Sequence, residues 1–339
     1  MSQTGTGNEN TGVSGSASTG VSASGNVSGS AGAKDNDVRA LLFETGALRV
    51  SPEDKPFWYT SGTIGPYYIN THFLYGGESK AGELLGLIDE ALAQKHELPG
   101  LVAEAALNNY RRGGHFKSAV DSMISYIKEN IAVEEMDFIS GGERRDWFFS
   151  YIAANLLNKP HVTVYKDLGS VRGKTKPEGA GDIVEDVGAA GLAGMKCLHI
   201  SDLVTEASSF ERAWHPAIAA AGGCITASLT VVDRMQGGGR VITGLGAEHH
   251  ALTGVSAGLF NSALEMGYIN KKQHRMVLDY INDPKTSMQA FIDKYSDFIT
   301  SSLAGGGKDA ERARLCVENR LYDISFKTRF DGDNTDEPL

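Results

Sequence analysis

The chain has 339 residues, 41% of them hydrophobic, which is enough to bury at least one sizeable core. Its 32 basic and 42 acidic residues leave a formal net charge of −10, which argues against a general nucleic-acid binder and for a small-molecule task. No apolar run reaches the ~18 residues that a membrane span needs. Cys197 and Cys224 sit in apolar, strand-like runs far from Cys316, as buried thiols of a reducing compartment do. No metal-ligand spacing is present, and the neighbours His249 and His250 point apart on any regular element.

Residues 1–36 read as a disordered tail. Up to Ala33 they are almost all Ser, Gly, Thr, Ala, Asn and Val, with Glu9 the only charge, and cannot bury enough apolar surface to offset their ordering entropy. The basic start and apolar centre of a signal peptide are missing, so a cytoplasmic protein is expected. Residues 37–245 read as an α/β domain. Val38 to Gly46 predicts a short helix with a glycine C-cap, and Phe57 to Asn70 predicts two short strands around a Gly/Pro turn. Helix-spaced apolars follow at Glu78–His96 and Lys117–Ile131, joined by a long connection over 100–116.

The centre then alternates. Strands are predicted at Met136–Ser140, His161–Tyr165, Lys196–Ser201 and Cys224–Val232, with helices at Asp146–Leu157 (Asp146 as N-cap) and Phe210–Ala221. Such alternation implies a parallel sheet, with ligands beyond the C-terminal ends of its strands. The loops Gly141–Asp146, Ser201–Ser209 and Asp233–Gly239 converge there. Trp147-Phe148-Phe149 reads as core beneath the first loop. Residues 246–330 read as a helical extension, with helices near Leu259–Met266, Lys271–Ile281, Ser287–Leu303 and 308–325. A polar tail covers 331–339.

The junction Ser201-Asp-Leu-Val-Thr-Glu-Ala-Ser-Ser209 has the order of a strand, a ligand loop and a helix N-terminus, which presents backbone N–H groups and small hydroxyls to an anion. It resembles the phosphoribosyl-diphosphate (PRPP) signature of type I phosphoribosyltransferases. Other segments resemble the orotate phosphoribosyltransferase family in the right order: Thr60-Ser-Gly-Thr-Ile-Gly-Pro-Tyr-Tyr-Ile-Asn70, Gly141-Gly-Glu-Arg-Arg-Asp146, Lys166 after a strand, and Asp233-Arg-Met-Gln-Gly-Gly238. The likeness covers roughly residues 38–245.

That resemblance implies a type I phosphoribosyltransferase-like parallel sheet flanked by helices, with a small hood over the base. It implies a glycosyltransferase of pyrimidine biosynthesis, cytoplasmic and homodimeric, which moves phosphoribosyl from PRPP to orotate with Mg²⁺ carrying diphosphate charge. The catalytic positions would be Lys166 and Asp202, the latter at the ribose hydroxyls. Thr205, Ser208 and Ser209 would cradle the 5′-phosphate, and Arg145 would face the diphosphate. Arg234 would pair with the orotate carboxylate, with Tyr67 and Tyr68 as an aromatic wall. No protein metal site of its own is implied.

The sequence departs from the family on the PRPP side. Thr60 replaces a lysine and Ser201 replaces the first of two acids. Glu206 and Ala207 stand in the phosphate loop, and only Arg172, Lys174 or Lys176 is near the place of a loop lysine. Each feature also has a plainer reading: a capped strand–helix turn, Arg144-Arg145 as a surface pair or partners of Glu143 and Asp146, Asp233-Arg234 as an internal ion pair, Tyr67-Tyr68 as core. Three functions therefore stand open. The chain is an enzyme, a binding or regulatory protein that keeps a pyrimidine or nucleotide pocket, or a structural subunit.

Overall fold

The computed structural model describes residues 34–173 and 184–324. The N-terminal and C-terminal tails, Lys174 and Lys176 lie outside the described residues. Helix α1 (Lys34–Glu44) ends where the Thr45 and Gly46 N–H groups turn back to the carbonyls of Leu41 and Phe43, with Gly46 at φ +69°. The hood then holds four strands, not two. β1 (Leu48–Val50) pairs with β4 (Tyr67–Ile69), and β2 (Phe57–Trp58) pairs with β3 (Ile64–Gly65), all antiparallel. β1 is three residues long, too short to show a period-two pattern in the sequence.

Helices α2 (Glu78–Ala91), α3 (Leu98–Arg112) and α4 (His115–Asn130) follow. α3 corrects the connection expected over 100–116. Its buried residues Leu98, Val102, Ala106 and Asn109 recur every three or four positions, but alanine and asparagine make a weak stripe. Gly113 and Gly114, both at φ +81°, separate it from α4.

The central sheet has seven strands: β5 (Phe138–Gly142), β6 (His161–Val164), β7 (Ser170–Gly173), β8 (Val184–Asp186), β9 (Lys196–Val204), β10 (Cys224–Asp233) and β11 (Glu248–Gly254). Their order is β11-β10-β9-β5-β6-β7-β8; the run from β11 to β6 is parallel, and β7 and β8 form an antiparallel edge. Phe138 and Ile139, adjacent on β5, join the two different cores on either side of the sheet. Covering both faces is what makes such strands apolar throughout rather than alternating.

On one face lie α6 (His215–Ala220), the single π-helical turn Phe210–Trp214 before it, and α7 (Gly238–Gly244). α5 (Trp147–Leu156) lies on the other, with Trp147, Phe148 and Phe149 in the core as expected.

Two corrections concern the C-terminal part. β11 lies where helical texture was expected, and it pairs along β10 from Ala227–Glu248 to Asp233–Gly254. A domain boundary after residue 245 would thus fall between two paired strands. The strand opens Glu-His-His and keeps several half-buried positions at the sheet edge, so it carries no apolar run. The helix expected over Ser287–Leu303 is two helices, α10 (Pro284–Lys294) and α11 (Phe298–Gly305), broken at Tyr295 (φ −115°, ψ 64°).

Around them stand α8 (Ala257–Glu265), α9 (Lys271–Asn282) and α12 (Gly307–Glu318). These helices pack on the hood: Trp58 stacks on Phe298 at 5.5 Å, and Arg312 Nη1 donates to the Trp58 carbonyl at 3.1 Å. Cys197 and Cys316 are buried free thiols, whereas Cys224, at the first position of β10, is exposed. Among the described residues no helix is long and apolar enough to cross a membrane.

Candidate functional site

At the C-terminal ends of β5 and β9 a cleft of about 490 Å³ opens between the Glu143–Asp146 loop and the Ser201–Ser209 segment. It brings together Arg145, Lys166, Asp202, Thr205, Ser208 and Ser209, six of the nine residues expected in the site. β9 runs further than the sequence pattern suggested, so Ser201 and Asp202 are strand residues and the free loop starts at Thr205.

Glycine is needed at position 142 because the loops are tight. A Cβ there would lie 2.1 Å from Cε2 of the Trp214 indole, which packs under the cleft. Gly142→Ala is therefore expected to cost about 1–3 kcal/mol through displacement of the ring or the loop. Denaturant unfolding reads this directly; an unchanged midpoint would mean that Trp214 yields freely. Across the cleft, Ala207 sits at φ +58°, the left-handed region that favours glycine. An alanine held there costs roughly 1–2 kcal/mol.

The charges divide into tied and free. Arg144 pairs with Asp89. Glu143 accepts the Lys166 backbone N–H at 3.0 Å, and its carboxylate lies 3.5 Å from Lys166 Nζ, so the lysine is tethered across the mouth. Arg145 is exposed and has no ion pair among the described residues. The Arg144-Arg145 pair thus splits into a structural member and one cation left for a ligand.

Asp146 was expected as an N-cap, yet its backbone is already helical and its side chain caps nothing. It crosses the cleft instead. Its Oδ2 accepts the Gly142 N–H at 3.1 Å and its Oδ1 accepts the Asp202 N–H at 2.9 Å, so one carboxyl fastens the β5 loop to β9. Burial raises the Asp146 carboxyl well above the usual range, and the Asp202 charge adds to this. Asp202 is raised to about 6 by burial, against the pull of the nearby Arg145 guanidinium.

Beneath the pair, His199 is fully buried. Its Nδ1 is 2.8 Å from Ser140 Oγ, and its Nε2 stands 3.9 Å from Asp146 Oδ2. Burial lowers His199 to about 3, so it is a neutral core imidazole near neutral pH. No cluster of three or more acidic, His or Cys side chains able to hold a metal occurs among the described residues.

The remaining three expected residues lie elsewhere. Arg234 follows β10 and is tied to the cleft through its backbone N–H, which donates to the Val204 carbonyl at 2.8 Å, but its side chain does not line the cleft. The ion pair considered for Asp233 and Arg234 is not formed. Asp233 engages His249 Nε2 at 3.0 Å and the Met235 N–H at 2.7 Å. Tyr67 and Tyr68 do not form one wall, because consecutive strand residues face opposite ways. Tyr67 is buried against Phe260 and Tyr280; Tyr68 is exposed beside Phe57, in a separate groove with Arg49 and Lys55.

Sequence reasoning missed Glu143, Trp214 and the bridging role of Asp146 in the cleft. An acid directly after Arg145 was the available signal. It reads as a helix cap because the partner across the cleft, Asp202, is 56 residues away and invisible in sequence.

No protein-family model matches the chain, and no curated protein matches it. Comparison with solved structures aligns it with the UMP synthase of Leishmania donovani at 16% identity and TM-score 0.46, over 73% of this chain and 42% of that one. It also aligns with the orotate phosphoribosyltransferase of Aeropyrum pernix at 15% identity and TM-score 0.42, over 68% and 99% of the two chains. The Francisella tularensis orotate phosphoribosyltransferase aligns at 13% identity and TM-score 0.42, over 71% and 95%. The match thus spans less than half of the UMP synthase chain. At these scores the likeness carries no argument about activity; the cleft's own chemistry must do so.

Proposed function

We propose that the chain is a phosphoribosyltransferase-type enzyme that moves phosphoribosyl from PRPP to a pyrimidine base, orotate by its sequence resemblance. The observation that carries this reading is the unpaired Arg145 beside Lys166 in a cleft whose far wall is Asp202 and the Thr205, Ser208 and Ser209 hydroxyls. Cations, a carboxyl and hydroxyls in that order suit a diphosphate, a ribose diol and a terminal phosphate.

In the reaction, a ring nitrogen of the base forms a bond to ribose C1 while the C1–O bond breaks, and diphosphate leaves with that electron pair. Arg145 and Lys166 would stabilise the charge that accumulates on it, and the rest is positioning. A Mg²⁺ ion takes one or two carboxylates plus substrate phosphates and keeps several waters. Asp202 fits that limited donor demand and would hold an ion brought in with PRPP, where it would neutralise diphosphate charge, while Asp146 stays committed to the Gly142 and Asp202 N–H groups. The same proposal includes a homodimer in the cytoplasm, and sedimentation at twice the monomer mass would support the assembly.

A second reading is a regulatory binder with impaired transfer. It is favoured by the exposed Glu206 and the left-handed Ala207 in the phosphate loop. Two measurements separate the readings: calorimetric titration with PRPP–Mg²⁺, and consumption of orotate in the presence of PRPP. Binding with turnover is the expected result. Binding of PRPP, or of orotate titrated in the same way, without turnover selects the regulatory reading, and absence of binding by both ligands removes both readings.

A further inference from the structure

The hood is too small to hold its own shape. Its outer hairpin has strands of only two residues, β2 and β3, and an isolated two-stranded hairpin is at best marginal in water. Yet Trp58 and Ile64, which face each other across it, are buried, at 4% and 0% exposure. Their cover comes from the C-terminal helices, outside the region of family resemblance: α12 packs on β2 and α10 on β3.

The contacts are specific. The Trp58 indole, stacked on Phe298 of α11, donates from Nε1 to Ser302 Oγ at 3.1 Å, and Ser302 in turn donates to the Phe298 carbonyl at 2.9 Å. The Trp58 carbonyl accepts from Arg312 of α12. The Ile64 N–H donates to the buried Tyr322 hydroxyl at 3.2 Å, just past the end of α12. At the turn, a Cβ on Gly62 would lie 2.9 Å from the Cys316 backbone nitrogen, so the hairpin meets α12 with no room between them.

The inner strand pair is held in the same way. The Tyr67 ring on β4 packs against Phe260 of α8 at 5.5 Å and meets Tyr280 of α9 edge-on at 5.6 Å. Gln273 Nε2 of α9 donates to the Ser51 carbonyl at 3.1 Å, and the Ser51 N–H donates to the Pro66 carbonyl at 2.8 Å. Residues of α8, α9, α11 and α12, with Tyr322, thus fasten the hood at both of its strand pairs. The cleft at the ends of β5 and β9 takes no lining residue from the hood.

We infer that the C-terminal helices fix the hood in place before any ligand arrives, and that Tyr322 and Ser302 are positioning residues for the base, acting through Ile64 and Trp58. The role towards the base rests on the phosphoribosyltransferase reading, in which residues 60–70 cover the base; the fixed hood does not. A cover that is already ordered spares the ligand the cost of ordering it, so the brace shows in affinity for the base. It leaves PRPP untouched, because the cleft lies on the sheet.

The test uses the full chain and two readouts. Amide hydrogen exchange compares peptides of residues 57–70 with those of β9, without ligand and with orotate. The hood peptides of the free protein should exchange within about tenfold of β9, and orotate should change them less than about threefold. Tyr322→Phe keeps the ring but takes the acceptor from the Ile64 N–H, and should speed exchange over 57–70 about tenfold while β9 stays unchanged. In steady-state kinetics the same variant should raise KM for orotate about three- to tenfold, with kcat and KM for PRPP within about twofold.

A hood that exchanges as fast as an exposed loop in the free protein, or that orotate slows more than about tenfold, would be a mobile lid and would overturn the inference. An unchanged KM for orotate, or equal changes for both substrates, would show a merely structural role and remove the positioning one. If the unsubstituted protein consumes no orotate, the phosphoribosyltransferase reading and the positioning role fall together, while the exchange rates still decide whether the hood is fixed. Should Tyr322→Phe not fold, Ser302→Ala removes the acceptor of the Trp58 indole instead and is read by the same criteria.

Discussion

Asp146→Ala is expected to destabilise the protein by about 2–4 kcal/mol and to lower its affinity for PRPP. The N–H groups of Gly142 and Asp202 would both lose their acceptor in a buried place, and each unsatisfied donor costs roughly 1–3 kcal/mol. Part of this is returned, because a buried carboxyl beside Asp202 disappears and the remaining acid ionises more readily. Asp146→Asn keeps one acceptor oxygen and should lose about half as much. Denaturant unfolding of the two variants provides the measure. If Ala and Asn behave alike, the second backbone contact contributes nothing and the bridge between β5 and β9 is not what holds the cleft.

Arg145→Ala should weaken PRPP–Mg²⁺ binding about tenfold or more while leaving stability within about 0.5 kcal/mol. The residue is exposed and makes no ion pair among the described residues, so its removal breaks no ion pair and loses only its pull on Asp202. A charge-assisted hydrogen bond to a diphosphate oxygen contributes roughly 1.5–3 kcal/mol. Lys166→Ala should have a smaller effect on binding, since its ammonium already faces the buried Glu143 carboxylate and must share itself with a ligand. Salt dependence of binding gives an independent reading, because contacts to phosphate at an open cleft are screened. Equal losses for the two variants would show that Glu143 does not restrain the lysine.

The sequence resemblance pointed to a better-kept base side and a degraded phosphate side. The structure gathers Arg145, Lys166 and three hydroxyls in one open cleft, whereas Arg234 lies outside that lining with its Nε buried. Motif comparison registers which residue types survive at each position. It does not register that Asp146 supplies a second acid near Asp202 from the opposite loop, when Ser201 stands at the position of the first.

What the sequence by itself determined was local. Apolar runs such as His161–Tyr165 and Lys196–Ser201 require burial on both faces, so the alternating strand–helix order and the parallel sheet were legible. So was the convergence of the 141–146 and 201–209 loops, because the C-terminal ends of parallel strands share one edge.

Tertiary structure alone decided the rest. β11 reads as polar because an edge strand needs less burial, α3 reads as a connection because its stripe is alanine and asparagine, and Tyr67 and Tyr68 part because a strand alternates its faces. Above all, the contact between Tyr280 and Tyr67 joins positions some two hundred residues apart. No pattern in the chain encodes that encounter; it follows from the packing of α9 on the hood.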